Sequence, residues 1–354
     1  VRVNQYFHTK GAVGIAAAAF LTASVSAQSP AAPAPAPPAT VGSQLGAAQA
    51  GIDLTVLHVQ VLLDRLGFTP GVIDGKGGQS LKAALSGFQK ARGLKPTGEI
   101  DQPTLRVLHA HRAIRPTANV TLTAADVAGP FTGALPKDPA EQAKLPALGY
   151  ANLMEKLSEQ YHTTTATLIA LNSPQTRLAP GTSIRVPNVL TQSRDYKADL
   201  KPEWKETLAM LNVDARQPTG DHVVVDKSEG VLKVLNAEDK VIAQFPATMG
   251  SEHDPLPIGT WKIQGADYNP KFHYNSDLFW DAKKDQEAML PPGPNGPVGV
   301  IWLDLSKPHY GIHGTAHPET IGRAESHGCI RLTNWDAARL SLMIKPGAKA
   351  VFQN

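Results

Sequence analysis

Two short segments near the C-terminal end of the chain hold residue types that do chemistry together. Ile312-His313-Gly314-Thr315 opens 14 residues before Ser326-His327-Gly328-Cys329-Ile330-Arg331. The thiolate of a cysteine is its nucleophilic form, and with an unperturbed pKa near ~8.5 the thiol needs a base at neutral pH. His313 and His327 are the two candidates. In extended backbone His327 shares a face with Cys329, whereas a turn aims it elsewhere. His313 comes from a separate strand and can face the thiol across a sheet. Gly328 removes side-chain bulk beside the sulfur, so a substrate carbonyl can approach backbone N–H groups that act as an oxyanion hole. Nucleophile, base and oxyanion donors together specify acyl transfer.

Two rival readings are weaker. His309, His313 and His317 recur at i, i+4 and i+8, which on a helix would align three imidazoles for a metal. Gly311, Gly314 and Pro318 oppose a helix there, and no His-Glu-x-x-His pattern occurs. No metal is expected. The other rival is a buried, inert cysteine, a common fate of free thiols. A core, however, does not call for histidine and glycine around the sulfur.

The elements that must position these residues are strands. His222 to Val225, Val231 to Leu235 and Val241 to Phe245 are short and β-branched, with turns at Gly230 and at residues 236–239. Trp261-Lys262-Ile263 and Val298 to Leu303 continue the pattern, which predicts a β-rich, sandwich-like domain over residues 221–354. Trp335 to Met343 is the one helix predicted there, capped by Thr333 or Asn334.

Upstream the texture is helical. Val59, Leu62, Leu63 and Leu66 make one apolar helix face, and Leu81, Ala84, Leu85 and Phe88 make a second. Gly67 and Gly93 stand where those helices should stop. These elements predict a small helical module over residues 51–112. Residues 113–147, rich in Ala, Pro and Thr, are expected to be a linker. Residues 148–188 read as helix, helix, strand, a small α+β module: Leu153, Met154 and Leu157 form one face, Leu168, Ile169 and Leu171 another, and Ser183 to Pro187 the strand.

The N-terminus carries a polar, basic start (Arg2, His8, Lys10), an apolar Ala-rich run from Gly11 to Ser24, and the small-residue site Val25-Ser26-Ala27. That is the pattern of a secretory signal, residues 1–27. The run falls short of the ~20 residues of a membrane span, so no integral span is expected in the mature chain. Alternating Ala and Pro then predict an extended linker, residues 28–50. Cys329 is the single cysteine, which excludes an intramolecular disulfide. Lys plus Arg is 34 against 31 Asp plus Glu, and a net charge of +3 over 354 residues gives no case for nucleic acid.

His313-Gly314-Thr315 and Ser326 to Arg331 resemble the signature of the L,D-transpeptidase catalytic domain, with Met249-Gly250, Pro257 to Trp261 and Tyr310-Gly311-Ile312 matching upstream. The resemblance implies Cys329 as nucleophile and His313 as base, oriented by the Gly314 carbonyl. It implies an oxyanion hole at the Gly328 and Cys329 N–H groups, and substrate contacts from Tyr310, Thr315, Ser326, His327 and Arg331. Arg331 would meet a stem-peptide carboxylate. The implied reaction releases D-alanine from a peptidoglycan tetrapeptide stem and passes the acyl group to an amine, forming a 3-3 cross-link or a related wall linkage, without a cofactor. An L,D-carboxypeptidase, with water as acceptor, and a non-catalytic wall-binding protein are the alternatives. Gln60 to Leu63, Leu66-Gly67, Asp74-Gly75, Phe88-Gln89 and Gly93-Leu94 resemble a peptidoglycan-binding module. Leu171-Asn172 and Pro180 to Pro187 resemble a LysM module with a divergent entry. Together they imply an exported protein of the periplasm or cell envelope. Its partners would be peptidoglycan stem peptides and glycan, with a wall-anchored protein as a further acceptor.

Overall fold

The computed structural model describes residues 51–278, 285–323, 326 and 328–354. The expected leader and Ala/Pro linker, and His327, lie outside the described residues. Helices α1 (Leu54–Arg65), α2 (Gln79–Ala91) and α3 (Gln102–Leu108) form the first module. Asp53 caps α1 by accepting from the N–H groups of Thr55 and Val56, and Asp101 caps α3 by accepting from Thr104. The predicted faces meet in one core of Val59, Leu62, Leu63, Leu81, Leu85 and Phe88. Gly67 and Gly93 follow the helix ends with φ of +83° and +68°, a conformation glycine adopts without strain.

Residues 113–147 are not a featureless connection. They contain β1 (Thr117–Thr121) and two single turns, α4 (Ala124–Val127) and α5 (Pro139–Gln142). Helices α6 (Leu153–Gln160) and α7 (Thr165–Leu171) and strand β2 (Ser183–Pro187) follow as the sequence pattern predicts. β1 pairs antiparallel with β2, Val120 opposite Ile184. Leu122 joins Leu157, Leu168, Leu171, Ile184 and Val186 in a second core. The α+β module therefore begins at β1 rather than at residue 148. Its two strands are separated by a long insertion rich in Ala and Pro, and that composition masks the first strand. Helix α8 (Pro202–Met210) leads into the third unit.

That unit holds β3 (His222–Asp226), β4 (Val231–Leu235), β5 (Val241–Pro246), β6 (Thr248–Met249), β7 (Gly259–Tyr268), β8 (Phe272–Asn275), β9 (Glu287–Leu290), β10 (Ile301–Leu305), β11 (Gly311–His313), β12 (Ile330–Arg331), α9 (Asn334–Met343) and β13 (Lys349–Gln353). Among the described residues nine strands run in the order β5-β4-β3-β13-β7-β10-β11-β12-β6, and β8 pairs with β9 as a hairpin. The long β7 belongs to both halves: its start pairs with β13 and its remainder with β10. The two halves close over one core that includes Val223, Leu232, Phe245, Ile301, Ile312, Ile330 and Trp335. β10 starts at Ile301 rather than Val298, because Gly299 turns with φ +61°.

All described residues belong to one compact unit, Ser43–Asn354, and the modules are locked together. β5 is an edge strand, and Gln244 gives its N–H to Gly67 and its carbonyl to Thr69, so the first module covers the edge. Asp64 of α1 accepts from Arg339 of α9 at 3.2 Å and bonds His162 at 3.2 Å, with Asp64 and His162 almost wholly buried. The His162 ring stacks on Trp335 of α9, centroids 4.9 Å apart. Burial pushes the Asp64 carboxyl up, but the Arg339 guanidinium and the bonds from Arg339 and His162 outweigh it and hold it well below the usual carboxylate range. A depressed carboxylate stabilises the fold above its unfolded pKa of about 4, and that contribution is lost as pH falls below it. Asp64→Ala strands the Arg339 guanidinium in the interior. It is expected to cost about 3–5 kcal/mol in chemical denaturation at pH 7. Among the described residues no helix is long and apolar enough to cross a membrane.

Candidate active site

Period-two alternation places the chemistry. β11 and β12 run parallel, Ile312 opposite Ile330 and His313 opposite Arg331. Ile312 and Ile330 are fully buried in the core, so their neighbours His313, Arg331 and Cys329 face the other way. These three side chains line one cavity of about 640 Å³, with Asp254, Phe272, Trp302, His309 and Tyr310 among its other walls.

The His313 imidazole is 3% exposed. Its Nδ1 lies 2.7 Å from the Gly314 carbonyl oxygen. A carbonyl only accepts, so Nδ1 carries the proton and Nε2 keeps a free lone pair. Burial, joined by the Arg331 charge, lowers the His313 pKa to about 4, against the opposing pull of the Gly314 bond. The ring is neutral at pH 7, the form a base requires. Trp302, its register partner across β10 and β11, stacks on it at 5.4 Å between centroids and 20° between planes.

Burial pushes the Cys329 thiol up, while a backbone bond at Gly311 and the Arg331 charge act the other way. The thiol donates to the His309 carbonyl at 3.7 Å. At rest the cavity thus holds a thiol and a neutral imidazole, not the thiolate that a nearby base suggests. Its proton has to leave as the sulfur attacks, which is general-base chemistry.

The turn before the nucleophile is braced. Ser326 donates from Oγ to the Cys329 carbonyl at 2.7 Å and accepts from the Gly250 N–H at 2.6 Å. Gly328 has φ +91°, and a Cβ there would stand 2.7 Å from the Tyr310 ring; backbone and neighbour both require glycine. Of the residues expected to meet substrate, Tyr310 and Arg331 line the cavity and Thr315 and Ser326 do not. Thr315 is buried and accepts from the His317 N–H at 3.2 Å. Each hydroxyl bonds backbone: Ser326 as both donor and acceptor, Thr315 as acceptor. Gly328 directly precedes Cys329, which lines the cavity. His309 has a left-handed backbone, His313 lies in β11 and His317 precedes a 3-10 turn, so the three imidazoles share no helix.

Trp302, Asp254 and Phe272 line the cavity but belong to neither sequence motif. Trp302 was findable, since antiparallel pairing of two apolar runs sets it opposite His313. Asp254 and Phe272 come from a loop and a hairpin with no periodic signal.

Residues 220–352 match the YkuD family model, described as the L,D-transpeptidase catalytic domain. Residues 54–108 match a family described as "Putative peptidoglycan binding domain". Over 128 residues the chain is 52% identical to the "Putative L,D-transpeptidase YkuD" of Bacillus subtilis (strain 168), covering 36% of this chain and 63% of that protein. Over 58 residues it is 52% identical to the protein of the same description from Bacillus licheniformis, covering 16% of this chain. The chain thus spans 35% and 63% of the length of these two relatives. An L,D-transpeptidase structure from Mycobacterium smegmatis is 22% identical, covering 37% of this chain and 58% of that one, with a TM-score of 0.31.

Proposed function

Starting from a chain that carries an L,D-transpeptidase catalytic domain at residues 220–352 and a peptidoglycan-binding domain at residues 54–108, we propose that it is an exported cysteine acyltransferase of the cell wall. The observation that carries this reading is the meeting of Cys329, a neutral His313 held by Gly314, and Arg331 in one cavity. The Cys329 sulfur attacks the carbonyl of the third residue of a tetrapeptide stem as His313 Nε2 takes the thiol proton. N–H groups at Gly328 and Cys329 receive the oxyanion. The C–N bond breaks, the proton passes to the leaving D-alanine amine, and a thioester remains. An amine of a neighbouring stem attacks the thioester, its proton passes through His313 to the sulfur, and a 3-3 cross-link forms. Tyr310 and Arg331 contact the stem, and Arg331 pairs with its carboxylate. No cofactor takes part.

Incubating the mature protein with tetrapeptide-bearing sacculi, followed by mass analysis of muropeptides, tests this. The expected products are free D-alanine and 3-3 linked dimers. Tripeptides without dimers would make water the acceptor and the enzyme an L,D-carboxypeptidase. Unchanged stems would refute catalysis on peptidoglycan. The protein is also expected to sediment with sacculi through residues 54–108; a recovery equal to that of a control protein would reduce that module to a scaffold.

A further inference from the structure

Asn334, the first residue of α9, joins three parts of the molecule. Its Oδ1 accepts from the Val300 N–H at 3.1 Å. The same oxygen sits where a Cβ on Gly299 or Gly314 would overlap it, so the carboxamide rests directly against both backbones. Gly314 in turn supplies the carbonyl that holds the His313 imidazole. The Asn334 Nδ2 donates to the Pro294 carbonyl at 3.1 Å and to the Glu159 Oε1 at 2.7 Å. Glu159 belongs to α6 of the α+β module, 175 residues away in sequence, and is itself buried.

A second contact from the same helix grips the same loop. Asn295 donates through Nδ2 to Glu155 at 2.8 Å and to the Gly149 carbonyl at 3.0 Å. The loop continues to Pro297 and Val298, which line the Cys329 cavity. The α+β module thus touches the floor beneath His313 and one wall of the cavity, although none of its own residues lines it.

We propose that Glu159 is a positioning residue of the active site, which fixes the Asn334 carboxamide and through it the Gly314 carbonyl that orients the His313 base. This rests on the acyl-transfer reading above. The Asn334 amide has two N–H groups and two acceptors, Glu159 and the Pro294 carbonyl, so its orientation is fully specified. Removing the Glu159 acceptor leaves a buried N–H unpaired, which favours rotation of the amide away from Gly314. Burial raises the Glu159 pKa to about 7, with bonds from Tyr150 and Asn334 acting against it and Glu155 acting with it. Either protonation state retains an oxygen that accepts, so acceptor geometry rather than charge is what Glu159 supplies.

Full-length wild type, Glu159→Gln and Glu159→Ala are compared for acylation of Cys329 by a carbapenem, with saturation kinetics separating maximal rate from half-saturation. Glu159→Gln keeps an oxygen toward Asn334 and is expected within about threefold of wild type. Glu159→Ala is expected to lose about tenfold or more in maximal rate with half-saturation little changed, the signature of a misplaced base. A wild-type rate in Glu159→Ala, or an equal loss in both variants, overturns the proposal. Should Glu159→Ala fail to fold, Asn334→Asp decides instead. Its carboxylate cannot donate to Glu159 until protonated, so its rate relative to wild type is expected to rise as pH falls from about 8 to about 5. A flat ratio overturns the proposal. Wild type that is never acylated at Cys329 removes the acyl-transfer reading, and the proposal with it.

Discussion

Intact-protein mass spectrometry after carbapenem treatment is expected to find one adduct on the wild-type chain and none on Cys329→Ser or Cys329→Ala. Both substitutions are expected to reduce stem transfer by at least ~1,000-fold, the scale of losing a covalent nucleophile. Serine fails for a reason visible in the site. The His313 pKa lowered to about 4 makes it a weak base, and a hydroxyl, with a pKa far above that of a thiol, yields its proton to such a base still less readily. Cys329 is only partly buried, so alanine is expected to leave the melting temperature within a few degrees of wild type. An adduct that survives either substitution, or a Cys329→Ala protein that still links stems, would end the catalytic assignment.

His313→Ala is the second large effect: the maximal rate is expected to fall by at least ~100-fold, the usual scale for a positioned base. The pH profile gives an independent check. A histidine with an ordinary pKa would lose its base form as pH falls through about 6.5. With His313 lowered to about 4, the neutral ring persists, and the acid limb of the rate profile is expected near pH 4. The same shift makes the ring a stability liability in acid. The unfolded state takes up a proton below about 6.5 that the folded state refuses until about 4, so stability falls across that window. An acid limb near 6.5 would mean that His313 is solvated in the working enzyme or that another group sets the profile.

The candidate site was legible in the sequence wherever local spacing carried the information. Cys329 and His313 stand out because glycines flank both and because strand periodicity turns both to one face. Ser326 and Thr315 show the limit of that reading. A motif names a residue type at a position, but whether a hydroxyl faces substrate or backbone depends on the turn it sits in. Ser326 is drawn to the Cys329 carbonyl and the Gly250 N–H, neither of which can be placed without the fold. Strand β1 escaped for a related reason. Thr117–Thr121 has one strongly apolar residue, Val120, and its partner β2 lies beyond two helices and an insertion. Residue type makes Thr333 and Asn334 equal candidates for the α9 cap, and Thr333 supplies it by accepting from the Asp336 N–H. The carboxamide of Asn334 is thereby released for its long-range bonds.

The lock between the first module and α9 also bears on how the chain acquires its structure. Thr69 bonds Asp336 across 267 residues, and Asp64 bonds Arg339 across 275. Each of the three cores can collapse from nearer parts of the chain, whereas these polar bonds form only after both ends have been made. Closing such long loops is entropically slow and goes unrewarded until the partners are in place. Docking is therefore expected to come late in folding. Until then β5 stays an open edge, so a chain whose first module is undocked is the form expected to associate with other chains.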